Sequence, residues 1–151
     1  MKKSILALLL AVLMVASLLP AAAMADEGDV AKIGDTEYAT LQEAINAATG
    51  ENTVVTLIAN TEENVTIASG KSIILDLNGF TLDGGTTKST AALTNNGTVV
   101  IKDSSAAGTG TIKRSDNGPD GCYYTVYNYS GTMTIESGNI RNNAGSPTEW
   151  S

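Results

Sequence analysis

Residues 113–129, KRSDNGPDGCYYTVYNY, hold most of the side chains in this chain that could engage a ligand. Four of its five tyrosines stand there, namely Tyr123, Tyr124, Tyr127 and Tyr129. A tyrosine offers an apolar ring face and a hydroxyl, a pairing that suits a sugar ring or a protein surface. Lys113, Arg114 and the more distant Arg141 add hydrogen-bond donors, and Asn128 adds an amide. In the competing arrangement, Tyr127 and one loop neighbour turn inward and pack as core. The candidate ligand contacts are therefore Tyr123, Tyr124, Tyr129, Lys113, Arg114 and Arg141, facing glycan or protein.

The same stretch carries oxygen ligands. Asp116, Asn117 and Asp120 are spaced like part of a calcium loop, which needs several oxygens at fixed positions. The bidentate Glu required at the twelfth place is missing, because that place falls on Tyr127. Asp116 and Asp120 are thus the candidate metal ligands, with calcium the one cofactor considered. Catalytic machinery is harder to find. The chain has no histidine, so Cys122 and the serines lack an imidazole partner, and a single cysteine forms no intramolecular disulfide. Glycoside hydrolysis needs two carboxylates across a cleft. Asp83 could meet Asp116 or Asp120, but no spacing selects them over solvated turn residues. No G-x-S-x-G, G-x-G-x-x-G or P-loop pattern occurs. A net charge of −7 argues against nucleic acid, which calls for clustered Lys and Arg.

The elements that must position these residues begin after an export signal. Lys2 and Lys3 precede an apolar run from Ile5 to Leu19, and Ala23-Met24-Ala25 has the shape of a cleavage site. The run is shorter than the roughly 20 residues that cross a bilayer. Residues 1–25 are therefore expected to be a signal peptide for the Sec pathway, leaving no transmembrane helix. Residues 26–50 read as a hairpin and a helix. Gly34-Asp35 turns between Ile33 and Tyr38, and Thr40 with Glu43 forms a capping box. Leu41, Ala44, Ile45 and Ala48 make one apolar stripe ending before Gly50.

From residue 51 onward the pattern is strand-like and repeats. Ile73 and Leu75, Val99 and Ile101, and Met133 and Ile135 alternate with polar or exposed positions. They are flanked by Val65, Ile67 and Leu82, by Ala91, Leu93 and Ile112, and by Thr125, Tyr127 and Ile140. Glycines mark the corners. Three similar passes imply stacked coils, because one coil cannot bury its apolar side alone. Asp76, Lys102 and Glu136 are expected to form an exposed column of alternating charge, about 4.8 Å apart. The long loops after Leu82 and Ile112 hang from one edge, a natural binding surface.

YATLQEAINAA at 38–48, VVTLIANTEENVTI at 54–67 and KSIILDLNGFTL at 71–82 resemble the opening of secreted proteins of the pectate-lyase-like superfamily, particularly bacterial surface and adhesin-type members. The resemblance implies a mainly β fold: a right-handed parallel β-helix of about three coils, spanning 51–151, with an N-terminal capping α-helix. It implies a secreted or cell-wall-associated module, scaffold or adhesin, binding glycan or protein through its loop edge. The alternative is a polysaccharide lyase or glycoside hydrolase. The His-containing polygalacturonase pattern is unmet, and the lyase pattern is met only by Asp116, Asp120 and nearby Arg114 or Lys113. NNAGSPTEWS at 142–151 is too short for another coil, so Met133, Ile135 and Ile140 would be left uncapped. Self-association there, or continuation into a longer protein, is the expectation.

Overall fold

The computed structural model describes residues 28–85, 90–114 and 124–142. The expected signal peptide, the calcium candidates Asp116 and Asp120, Cys122 and Tyr123 lie outside the described residues. Over the described residues the protein is mainly β, with one helix and three sheets, two wholly parallel and one parallel with an antiparallel hairpin at its edge.

The N-terminal end is sealed by three elements. Strands β1 (Ala31–Ile33) and β2 (Thr36–Tyr38) form the expected hairpin. Helix α1 (Leu41–Ala47) follows, with Leu41, Ala44 and Ile45 fully buried. At seven residues it is too short to persist alone, so its ends are held by side chains. Thr40 Oγ1 accepts the Glu43 N–H, and the Glu63 carboxylate accepts the N–H groups of Leu41 and Gln42. At the other end Lys71 Nζ donates to the carbonyls of Asn46 and Ala48. An acid at the start and a base at the end also complement the helix dipole.

Eleven more strands follow: β3 (Thr53–Leu57), β4 (Thr61–Glu62), β5 (Val65–Ile67), β6 (Ser72–Asp76), β7 (Thr81–Asp83), β8 (Leu93–Asn95), β9 (Thr98–Lys102), β10 (Thr111–Arg114), β11 (Val126–Asn128), β12 (Thr132–Ile135) and β13 (Asn139–Asn142). The first sheet stacks β3, β6, β9 and β12 in parallel, with β1 and then β2 added antiparallel beside β3. The second stacks β4, β7, β10 and β13, and the third β5, β8 and β11. From β3 onward the chain visits first, second and third sheet in turn and then begins again. Gln42 closes the outer edge of the third sheet: its amide both donates to the Thr66 carbonyl and accepts the Thr66 N–H, as a neighbouring strand would.

The register matches the spacing read from the repeats. Leu75 pairs with Ile101, and Ile101 with Ile135. Leu75 and Ile101 are fully buried, each such side chain contributing about 1.5–3 kcal/mol. Ile135, in the last layer of the first sheet, is 52% exposed, and Ile140, in the last layer of the second, 38%. Strands β11, β12 and β13 stand at the ends of their sheets.

Three expectations need correction. A layer precedes the three passes: Val55 of β3 pairs with Leu75 and is fully buried. Its apolar neighbour Val54 is exposed, which blurs the alternation along TVVTL. Second, Asp76 does not stand in an exposed charge column. Lys102 lies opposite it at 3.5 Å, but Asp76 is only 5% exposed, because its Oδ1 accepts the N–H groups of Asn78 and Ser104. Third, the phase of β11 differs by one residue from that assigned, so Val126 pairs with Leu93, and Tyr127 pairs with Thr94 on the outer face.

The corners between first and second sheet are organised by a neighbouring acid. Asp103 Oδ1 accepts the N–H groups of Gly79 and Ser105, and Oδ2 that of Gly110. It thereby ties the corner of one layer to that of the next. Burial acts to raise its pKa, but the hydrogen bonds donated by the N–H groups of Gly110, Ser105 and Gly79 prevail and hold it below its ordinary value. The corners between third and first sheet are tighter. A Cβ on Gly97 would fall 2.6 Å from the carbonyl oxygens of Ala68 and Lys71, so only glycine fits there.

Candidate binding surface

The outer face of the third sheet ends in a row of aromatic rings. Alternation along β11 and the residue just past it turns Tyr127 and Tyr129 outward together. Tyr124 stacks on Tyr127 with ring centroids 5.1 Å apart and planes 15° from parallel. Tyr127 meets Tyr129 at 5.8 Å, tilted by 51°. All three are open to solvent, at 58%, 39% and 69% exposure. Two of the six expected ligand contacts, Tyr124 and Tyr129, are thus brought together, and Tyr127, assigned to the core from sequence, is the ring that joins them.

Beneath this row lies an amide ladder. Asn95 is fully buried, and its Nδ2 reaches Asn128 Oδ1 at 2.8 Å and the carbonyls of Thr132 and Gly97. Its Oδ1 accepts the Gly97 N–H, while Asn128 Nδ2 donates to the Gly131 carbonyl. Asn128 is therefore engaged in holding the strand rather than offered to a ligand. The ladder fixes the phase of β11, and so decides which of its side chains face outward. The signal was present in sequence as an asparagine at the last position of each of the paired strands, LTN and VYN.

The cations behave differently from the tyrosines. Strand β10 runs two residues past Ile112, where a loop was expected, so Lys113 faces out and Arg114 faces in. Arg114 is 1% exposed and cannot be a surface ligand contact. Lys113 sits opposite Asp83, its Nζ 3.1 Å from Oδ2. Arg141 shares its register position on β13 and is exposed. These two stand on the second sheet rather than among the rings. The sheets meet where Thr125 Oγ1 donates to the Arg141 carbonyl.

Two shallow hollows flank these surfaces. One, of about 360 Å³, lies on the second sheet between Glu62, Thr81, Asp83 and Lys113. Asp83 is only 9% exposed there, with Oδ1 accepting the Gly85 N–H and Oδ2 facing Lys113, so it is not free to take a substrate proton. The other, about 520 Å³, follows the glycine corners between third and first sheet, lined by Ser72, Asn96, Thr98, Ser130 and Thr132. Among the described residues no group of three His, Cys, Asp or Glu side chains could hold a metal ion, and no helix is long and apolar enough to cross a membrane. Compared with known protein families, with curated proteins and with solved structures, the chain matches none of them.

Proposed function

We propose that this chain is a secreted or cell-surface module without catalytic activity, a right-handed parallel β-helix of the pectate-lyase-like kind that binds glycan or protein at the extracellular or cell-wall face. The apolar N-terminal run with its small-residue cleavage site supports export. Parallel sheets visited in rotation, with an amphipathic helix over one end, support the β-helix, and the strong right-handed preference of parallel crossovers supports its hand. The observation that carries the binding role is the exposed row Tyr124–Tyr127–Tyr129. Large rings on an outer sheet face cost solubility and add nothing to the interior, whereas tyrosine is the residue type that dominates recognition surfaces.

The test is capture of the labelled full chain on an array of immobilised glycans and extracellular proteins. Retention on a defined set of spots, lost when Tyr124, Tyr127 and Tyr129 are all changed to Ala, is the expected result. Retention unaffected by the triple change would remove the tyrosines from the site. Turnover of a polysaccharide by the same protein would replace the binding role with a lyase or hydrolase.

A further inference from the structure

The ring row and the corner groove adjoin in the chain. Tyr129 is followed directly by Ser130, Gly131 and Thr132, which line the groove in the last layer. From there the groove runs across successive layers past Asn96 and Thr98 to Lys71 and Ser72. Its walls are short hydroxyls, one amide and glycine backbone. Asn96 is half-buried, while Thr98, Ser130 and Thr132 are exposed. The one lysine lining it, Lys71, already donates its ammonium to the carbonyls of Asn46 and Ala48, and the one acid is Glu51.

We infer that the Tyr124–Tyr127–Tyr129 row and this groove form one continuous site for a neutral polysaccharide. This rests on the proposed binding role of the tyrosines and adds the ligand class. A pyranose has a C–H face that packs on an aromatic ring and a rim of hydroxyls that pair with Ser, Thr and Asn. The row supplies the first surface and the groove the second. A polyanion would find no uncommitted cation along the groove, on a chain whose net charge is −7. A buried protein-docking site would instead call for an apolar centre, and the groove walls are polar.

Native affinity electrophoresis of the full chain tests this, with hydroxyethylcellulose, galactomannan and dextran as neutral probes and polygalacturonate as the acidic one. At least one neutral polymer should slow the protein, equally at about 0.1 M and about 0.5 M salt, since no charge pair is involved. Polygalacturonate should not. Tyr127→Ala should weaken that retardation roughly tenfold, the loss expected when a central aromatic is truncated. Thr98→Trp, which fills the groove at an exposed position, should weaken it similarly, and Asn96→Ala should weaken it less. Circular dichroism of each variant separates lost binding from lost folding. Retardation by polygalacturonate alone, by no polymer, or by a neutral polymer regardless of Thr98→Trp overturns the inference. Tyrosine-dependent capture on protein spots of the array, with no polysaccharide retardation, would sink the glycan site while leaving the binding role intact.

Discussion

Replacing Asn95 by Ala tests the support under the tyrosine row. Asn95 is fully buried and meets four partners: Asn128 Oδ1, the carbonyls of Gly97 and Thr132, and the Gly97 N–H. Gly97 is itself buried, so its N–H loses its acceptor where water cannot easily replace it. One stranded buried donor costs about 1–3 kcal/mol, and the remaining lost bonds add about 1 kcal/mol. The expected destabilisation is about 2–4 kcal/mol. Asn128→Ala removes the exposed partner, whose neighbours rehydrate, and should cost about 0.5–1.5 kcal/mol. Urea unfolding followed by far-ultraviolet circular dichroism gives both values, provided the slope with denaturant stays constant. Asn95→Leu separates the causes, since it restores volume without the acceptor and should stay destabilised. An Asn95→Ala protein within about 0.5 kcal/mol of wild type, or one less affected than Asn128→Ala, would refute the ladder as the device that holds β11.

Two further outcomes follow from the layers. The carboxylate of Asp103 is held below its ordinary pKa of 3.8, so its stabilising effect is full above that value and fades as pH falls through the lower folded value. In urea midpoints measured between about pH 6 and about pH 2.5, the gap between wild type and Asp103→Asn should narrow at the acid end, and a gap that widened there would reverse the argument. Leu75 and Ile135 belong to one column, yet the first is fully buried and the second 52% exposed. Leu75→Ala should cost about 2–5 kcal/mol and Ile135→Ala under about 1 kcal/mol, measured by the same unfolding experiment; equal costs would mean that the last layer is covered in solution.

What the sequence disclosed depended on how many residues carried each pattern. Leu75, Ile101 and Ile135 were legible because strands of four and five residues show the alternation more than once, and Gly70, Gly97 and Gly131 stand just ahead of them. The layer at β3 was missed because Val54 and Val55 adjoin, and period two cannot choose between them. Strand β11 has only three residues, so assigning Thr125 and Tyr127 inward had as much local support as the reverse. The buried Asn95 contact, made with a residue 33 positions away, settles the choice, and no local pattern contains it. Arg114 was misjudged for a similar reason: a buried arginine in an outwardly charged pair, Lys113-Arg114, is recognisable only once β10 is seen to continue beside β13, where Arg114 pairs with Asn142. The candidate site was therefore half visible. Its tyrosines were found by composition, but the ring that unites them and the adjoining hollow depend on strand phase.

The sealed N-terminal end has a kinetic implication. Helix α1, the hairpin and the Glu63, Lys71 and Gln42 contacts are all satisfied within the first 71 residues. A chain emerging from its N-terminus can finish this base before the remaining strands are available, and each completed rung then templates the next one. Assembly is thereby given a direction. Damage near the base should halt growth of everything above it, whereas truncation at the far end should leave a shorter but still ordered stack.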